Sequence, residues 1–432
     1  MGESAKRTRP KILAAWEIGA NFGHATKLAP ALRALSASCD IMAVLKVPHV
    51  FRRFEGLSDL PSRQAPEVPG WNSRKTDPAG EDGGNSYAGE LAAVGWWSAD
   101  GLAAYFSEWQ SILEDVRPDL VLCQSAPGAN LVARSMGMPT VIVGSGYDTP
   151  PLAHPFPHNL LDEAGPEHLR AVSEFEEAIH LSVNTALDRV GISRIGRLCE
   201  LFESDKTYLA TFAQADHYSP RAHFDPAHPP YRGHIVERQL GRRIGWRPRP
   251  PRASRKRVFA YLRANGVNTA PALYALARLA GHGDDVVLVI PDIADAPVLS
   301  KQARRLARQH RTLRVFDTPL RTEGFLESAD LGLSHGSNAM VAAFMMAGVP
   351  QVATPNHTEQ LMSARALSRS RAGICIHGDF RQMQARFASL LEMARTRDDL
   401  NAAAKALSSE ISGKFPDPPL SGLSEDVHRL LS

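Results

Sequence analysis

The feature that most constrains the fold of this chain is an alternation of short apolar runs with amphipathic stretches, which occurs twice along its 432 residues. The runs are six or seven residues long, and the stretches between them repeat apolar residues at helical spacing. Such alternation predicts strand–helix–strand units and parallel sheets covered by helices on both faces. The predicted strands are 11–16, 39–45, 119–124, 140–145, 258–264, 285–291, 312–318 and 331–336, with a further short strand that starts at Pro350.

The two series are separated by a segment rich in arginine and proline. Residues 220–257 hold eleven Arg or Lys, two acidic residues and seven prolines. Proline at this density favours an extended connection, and no interleaving of aromatic residues points to the base stacking of a nucleic-acid arm. The predicted parts of the chain are a first domain at 1–236, a linker at 237–257, a second domain at 258–405 and a tail at 406–432 that packs back on the first domain. Residues 55–90 are rich in Gly, Pro and charge, which predicts a long surface loop. The spacing of apolar residues predicts mostly helix over 150–218.

Composition excludes several functions. The net charge of +3 is small for this length, so charge alone indicates no nucleic-acid or membrane partner. The four cysteines lie far apart without a CxxC pair, which argues for a reducing compartment and against disulfides and structural zinc. No run approaches 18 apolar residues, so we expect no membrane span and a cytoplasmic protein.

The most informative motif begins where the last predicted strand ends, in SHGSNAMVAAFMMAGVPQVATPNHTEQ. His335 and Gly336 stand at that strand end, and Ser337 or Asn338 is placed to cap the helix that follows. Backbone N–H groups, the positive end of a helix dipole and an imidazole then meet at one point. This combination predicts a site for a phosphate or diphosphate.

The same motif closes on a carboxylate beside an amide, Glu359 and Gln360. This pair suits vicinal hydroxyls, because one group only accepts hydrogen bonds and the other can do both. A diphosphate at one end and a polyol at the other describes a nucleotide sugar. The alternative is an ordinary strand–helix–strand unit with a Glu-Gln pair at its surface.

The motif resembles the donor-binding signature of GT-B glycosyltransferases of the UDP-glycosyltransferase superfamily. In that family His-Gly, Gly-Val-Pro, a later Pro and an acidic residue followed by Gln occur in this order and at about this spacing. The resemblance covers residues 258–405 best and the first domain more loosely. It implies an α/β GT-B fold of two Rossmann-like α/β/α domains facing across a cleft, with acceptor binding by 1–236 and nucleotide-sugar binding by 258–405.

The resemblance also implies roles for the residues of the motif. His335 would contact the diphosphate of the donor. Gly336, Ser337 and Asn338 would supply hydrogen-bond donors, whereas Glu359 and Gln360 would hold the sugar.

Two further segments fit this donor site. Arg263 and Asn265 take the place of the family's first phosphate-side loop, and an arginine there would be a direct partner of the diphosphate. Thr318 and Pro319 take the place of its nucleobase-binding Trp-x-Pro-Gln. The chain lacks that tryptophan and glutamine, and Ala343 replaces a glutamate that often contacts the ribose. The nucleobase therefore stays open, with UDP and dTDP as the expected donors.

A second candidate site follows the first strand. Gly19 and Gly23 bracket a tight loop, and His24 stands at the N-terminus of the next helix. The helix dipole there favours the neutral imidazole that a general base requires. The alternative is a capping or structural histidine. The loop resembles the family's Gly-His-x-x-Pro loop, whose histidine deprotonates the acceptor hydroxyl.

In many family members an aspartate orients this histidine, and here Gln124 takes its place. Glutamine can hold an imidazole by a hydrogen bond, but it cannot stabilise an imidazolium as a carboxylate does. Glu17 or Asp148 could supply that carboxylate. Otherwise either His24 is a weak base or the acceptor, such as a phenol or carboxylate, is acidic enough to need little help. Glu17, Gly23, Tyr147 and Asp148 are expected on the acceptor side.

The sequence thus predicts an inverting, metal-independent glycosyltransferase that moves a sugar to a small, partly apolar acceptor. No cofactor beyond the nucleotide sugar is expected, and neither a dinucleotide-binding GxGxxG after a strand nor a P-loop is present. Two alternatives stay open. One is a non-catalytic auxiliary protein of the same fold, and the other is a nucleotide-sugar 2-epimerase.

Overall fold

The computed structural model describes residues 9–19, 22–69, 84–237, 240–248 and 255–432. The chain divides into two compact units. The first unit comprises Met1–Thr211, Pro220–Glu237 and Pro416–Ser432. The second unit comprises Phe212–Ser219 and Arg238–Phe415.

The first unit is built on a six-stranded parallel sheet of order β3-β2-β1-β4-β5-β6. Its strands are β1 (Lys11–Trp16), β2 (Asp40–Leu45), β3 (Ser62–Gln64), β4 (Leu120–Cys123), β5 (Thr140–Gly144) and β6 (Lys206–Leu209). Its helices before the second unit are α1 (Phe22–Ser36), α2 (Tyr87–Ala93), α3 (Ala99–Val116), α4 (Pro127–Ser135) and α5 (Pro166–Arg189).

The second unit has a six-stranded parallel sheet of order β12-β11-β10-β7-β8-β9. Its strands are β7 (Arg257–Tyr261), β8 (Asp285–Val289), β9 (Leu313–Phe316), β10 (Leu331–Ser334), β11 (Gln351–Ala353) and β12 (Gly373–Cys375). Its helices are α6 (Thr269–Gly281), α7 (Pro297–Gln309), α8 (Asn338–Ala347), α9 (Thr358–Arg369), α10 (Gln384–Thr396) and α11 (Asp398–Ile411).

Both sheets follow the strand order of the Rossmann fold, which confirms the predicted α/β class with two Rossmann-like units. The central strands are buried along their length because helices cover both faces, and this explains why the runs are apolar without alternation. All nine predicted strands are present, including the short strand after Pro350, which is β11.

The two sheets share a second property that locates the candidate sites. In the first sheet the strand order reverses between β1 and β4, and in the second it reverses between β7 and β10. Loops leaving such a pair diverge to opposite faces, so a crevice opens at the carboxyl ends of the two strands. Ligands of open α/β sheets bind at these switch points.

Three strands and several helices, the long α3 among them, were not expected from the sequence. β3 lies within the predicted surface loop, β6 lies within the stretch of helical pattern, and β12 lies beyond the motif. Each spans three or four residues at a sheet edge, too short for periodicity to reveal. α3 is an amphipathic helix whose N-cap residue Ser98 accepts a hydrogen bond from the backbone of Gly101. Residues 70–83 of the predicted loop lie outside the described residues.

The described part of the predicted linker packs within the second unit. The backbone N–H of Arg242 donates to the carbonyl of Pro319 at 3.0 Å. The Trp246 indole stacks on Phe325 with 4.3 Å between ring centroids. Residues 238–239 and 249–254 lie outside the described residues.

The C-terminal segment forms part of the first unit through α12 (Leu423–Leu430). The Tyr208 hydroxyl donates to Asp426 Oδ2 at 2.7 Å, and His428 Nε2 lies 3.0 Å from Ser38 Oγ. Among the described residues, no helix combines the length and apolar character needed to cross a membrane.

Candidate active site

The first switch point holds His24, in the first turn of α1. Its ring stacks on the buried Trp16 at the end of β1, with 5.3 Å between centroids. Its Nδ1 lies 3.1 Å from Oε1 of Gln124, which follows β4 and is fully buried. The structure therefore brings together the two residues predicted to be catalytic.

The contact with Gln124 determines which nitrogen of His24 can act as a base. An amide oxygen only accepts hydrogen bonds, so Nδ1 carries the proton and Nε2 carries the lone pair. Nε2 faces Gly19, where a Cβ atom would stand 2.3 Å from it. Gly19 also has φ of +80°, so glycine is required there both for the backbone and for access to the ring.

A carboxylate also reaches His24, and it comes from Asp148 after β5. Asp148 Oδ1 lies 3.7 Å from His24 Nδ1, and Oδ2 accepts hydrogen bonds from the backbone and hydroxyl of Ser145 at 3.1 and 2.8 Å. Burial alone would raise the pKa of Asp148, but the Lys27 ammonium paired with it and the His24 imidazole outweigh burial and hold that pKa well below its usual range. Asp148 is therefore a permanent buried anion beside the imidazole.

Lys27 is a site residue that the sequence prediction missed. Its ammonium donates to Asp148 Oδ2 and to Ser145 Oγ, the latter at 3.1 Å. Lys27 lies three residues after His24 in α1, and this spacing puts the two side chains on one face of the helix. That spacing is the signal that could have identified it.

Two further residues predicted on the acceptor side lie near this point. Gly23 is the second residue of α1, directly before His24. Tyr147 precedes Asp148 and is half-buried, with its ring 5.7 Å from that of Tyr87. Tyr87 in turn contacts Phe156 and Phe202, so an aromatic cluster extends from the polar site into the unit.

Glu17 does not occupy the predicted position. Its carboxylate points to the N-terminus of α4, where Oε1 accepts the backbone N–H of Gly128 at 2.5 Å, and it also bonds the hydroxyl of Tyr105. Burial raises the pKa of Glu17 to about 7, only partly offset by these hydrogen bonds. Glu17 is thus a buried acid of the protein interior, and the carboxylate beside His24 belongs to Asp148.

We expect Glu17→Gln to gain stability relative to the wild type as the pH rises from about 5 to about 8. The pKa in the folded protein, about 7, exceeds the ordinary value of 4.5, so the folded state holds this proton more tightly. The wild-type free energy of unfolding then falls between these two pKa values by about 3 kcal/mol. Urea unfolding of both proteins at the two pH values measures this; a stability difference independent of pH would contradict it.

The second switch point brings the loop after β7 against β10. Asp292 binds this loop, because Oδ2 accepts Nε of Arg263 at 2.8 Å and Oδ1 accepts the backbone N–H of Ala264 at 2.9 Å. The Arg263 side chain remains 42% exposed, so it keeps a surface for an anionic ligand. Asp292 follows β8, and the sequence alone did not identify it.

His335 lies in the predicted place but makes different contacts from those predicted. Its Nε2 accepts the backbone N–H of Arg263 at 2.8 Å, and its Nδ1–H donates to the carbonyl of Thr354 at 3.2 Å. The imidazole is neutral because Nε2 accepts a hydrogen bond, and burial lowers the pKa of His335 in the same sense. A Cβ on Gly266 would stand 2.4 Å from the ring. Both ring nitrogens of His335 therefore bind protein backbone, and the ring fixes the Arg263 loop.

The start of α8 agrees only in part with the prediction. Gly336 has φ of +80°, a conformation that favours glycine, and Ser337 is the N-cap residue, although its side chain makes no capping hydrogen bond. Asn338 is buried and donates through Nδ2 to the carbonyl of Ala215 at 2.8 Å. The side chain of Asn338 is therefore committed within the protein, which leaves the backbone of this turn as the candidate for binding an anion.

Glu359 and Gln360 lie in the first turn of α9, beside the start of α8. Glu359 Oε1 accepts Nε2 of His217 at 3.1 Å and the backbone N–H of Asn338 at 3.4 Å. Gln360 Oε1 accepts the backbone N–H of Asn356 at 3.0 Å. Glu359 thus lies beside the start of α8, with His217 as an additional partner.

The remaining predicted donor residues lie at the same edge of the sheet. Asn265 and Thr318 are exposed after β7 and β9, and Pro319 is half-buried. Within the described ranges, no group of three or more His, Cys, Asp or Glu side chains is arranged to hold a metal ion.

Comparison with known proteins identifies the fold. No protein-family model matches the sequence, and no match is found among curated proteins. The structure matches the spinosyn rhamnosyltransferase SpnG (TM-score 0.60, 18% identity, 96% of this chain and 100% of that chain) and the glycosyltransferase SnogD from Streptomyces nogalater (0.58, 16%, 98% and 100%). It also matches the glycosyltransferase of kitacinnamycin (0.66, 15%, 98% and 100%). The fold is that of GT-B glycosyltransferases, as the sequence predicted.

Proposed function

We propose that this protein transfers a sugar from a nucleoside diphosphate sugar, with UDP or dTDP as the nucleotide, to a hydroxyl of a small, partly apolar acceptor. The observation that carries the proposal is the pairing of His24 with a buried carboxylate, Asp148, at the switch point of the first sheet. The fold supports it, because SpnG, which is similar in structure, has been solved with thymidine diphosphate and with the spinosyn aglycone.

On the acceptor side, Nε2 of His24 takes the proton of the acceptor hydroxyl as that oxygen attacks the anomeric carbon. Gln124 fixes the tautomer through Nδ1, as the 3.1 Å contact indicates. Asp148 stabilises the imidazolium that forms, since a buried anion 3.7 Å away lowers the cost of a positive charge. Lys27 holds Asp148 in place. A single attack of this kind inverts the configuration at the anomeric carbon.

On the donor side, the leaving diphosphate gains negative charge and needs fixed positive partners. Arg263 and the backbone N–H groups at the start of α8 supply them, which is the basis for proposing that no metal is required. Glu359 and Gln360 orient the sugar by accepting and donating hydrogen bonds to its hydroxyls. Asn265, Thr318 and Pro319 are the proposed contacts of the nucleoside.

The proposal predicts selective stabilisation by nucleotides. One nucleoside diphosphate or its sugar conjugate, at about 100 times its dissociation constant, should add about 2.7 kcal/mol, several degrees in a cooperative melt. Thermal unfolding measures this stabilisation, with UDP, dTDP, GDP and ADP each added separately. Arg263→Ala should reduce the shift, whereas Arg308→Ala, on α7, should not. If none of the nucleotides raises the melting temperature above that of the protein alone, the donor site is removed from the proposal.

A non-catalytic auxiliary protein of the same fold is the second candidate. Two observations favour it, because both ring nitrogens of His335 bind backbone and Glu359 already lies against the start of α8. Such a protein should bind nucleotide without consuming a nucleotide sugar in the presence of any acceptor. Turnover therefore separates the two functions.

A further inference from the structure

His217 is a completely buried histidine that no predicted role includes. It lies in residues 212–219, the short segment of the second unit that interrupts the first unit along the chain. Its Nε2 lies 3.1 Å from Glu359 Oε1 and 2.9 Å from Ser363 Oγ, both on α9. An ionised carboxylate only accepts hydrogen bonds, so Nε2 carries the proton in this contact.

The segment also contacts the start of α8. The carbonyl of Ala215 accepts Nδ2 of Asn338 at 2.8 Å, and Phe212 packs in one apolar cluster with Val341 of α8 and Ala364 of α9. Residues 212–219 therefore join the two helices whose first turns form the proposed donor site. The position of Glu359 relative to α8 depends on these contacts.

We propose that His217 is a positioning residue for the sugar of the donor, acting through Glu359. This inference rests on the proposed function. The N–H of His217 holds one carboxylate oxygen of Glu359, so the carboxylate keeps a single orientation towards the hydroxyls of the sugar. The Glu359 side chain is 22% exposed, which leaves it accessible to a ligand. A carboxylate fixed in advance loses less conformational freedom on binding.

The test compares binding of a nucleoside diphosphate with binding of its sugar conjugate. For His217→Leu we expect the affinity for UDP-glucose or dTDP-glucose to fall about tenfold, as for one lost hydrogen bond to a charged group. The affinity for UDP or dTDP alone should stay within about twofold, because these ligands lack the sugar. His217→Gln keeps an N–H near the carboxylate and should retain part of the affinity that the sugar adds. His310→Gln, after α7, is the matched control and should change neither affinity.

A double substitution excludes a merely structural role. In a Glu359→Gln background, adding His217→Gln should have no further effect on the sugar-dependent part of the affinity, because His217 acts only through that carboxylate. Additive losses, or equal losses for the nucleotide and its sugar conjugate, would overturn the inference while leaving the transferase proposal intact. Binding of neither ligand by the wild type would overturn the proposed function, and with it this inference.

Discussion

Replacement of His24 by alanine is expected to lower kcat for sugar transfer by about 100- to 10,000-fold, the usual contribution of a general base. The imidazole combines a lone pair on Nε2 with a buried anionic partner, Asp148, which is what a general base requires. The donor site belongs to the second unit, so the affinity for the nucleotide should stay unchanged. Steady-state transfer rates together with nucleotide titration measure both effects.

A histidine elsewhere on the same unit provides the control. His223 is exposed, and His223→Ala should transfer sugar at the wild-type rate. A transfer rate for His24→Ala within a few-fold of the wild type would show that another group accepts the proton. His24 would then be a structural residue of the loop.

Asp148→Asn should lower both stability and activity. The substitution leaves the Lys27 ammonium in a largely buried place without its anion, which costs about 3–5 kcal/mol in comparable pairs. It also removes the charge that stabilises the His24 imidazolium, so kcat should fall roughly ten- to a hundredfold. Chemical unfolding and initial rates measure the two effects separately.

The double variant Lys27→Met, Asp148→Asn separates the two roles of Asp148. Removing both charges should recover much of the lost stability, since no unpaired charge remains buried. Activity should not return, because the carboxylate beside His24 is still missing. Recovery of both would mean that Asp148 serves only to pair with Lys27.

The course of the chain through the two sheets could be predicted because each central strand carries its own signal. Strands such as β5 and β8 are buried on both faces and read as continuous apolar runs. The edge strands β3, β6 and β12 are too short for such a signal. Their pairing depends on neighbouring strands that are distant in the sequence.

The candidate site could be predicted where a local motif places a residue at a strand end, as for His24, Gln124 and Glu359. Side-chain direction could not be predicted. Glu17 adjoins the His24 loop in sequence, yet its carboxylate binds the start of α4. Contacts between residues distant in the sequence could not be predicted either, as for His217 and Glu359, which are 142 positions apart. Whether His335 faces a ligand or the backbone depends on the conformation of the Arg263 loop, which lies outside the motif that contains His335.

The most direct measurement of function is the mass of the acceptor after incubation with UDP- and dTDP-sugars. A panel of small phenols and alcohols should be used, with wild type and His24→Ala in parallel. We expect at least one acceptor to gain one sugar residue, with an equal amount of nucleoside diphosphate released, by the wild type and not by the variant. Binding of a nucleotide sugar without product from any acceptor would contradict transfer and favour the auxiliary protein.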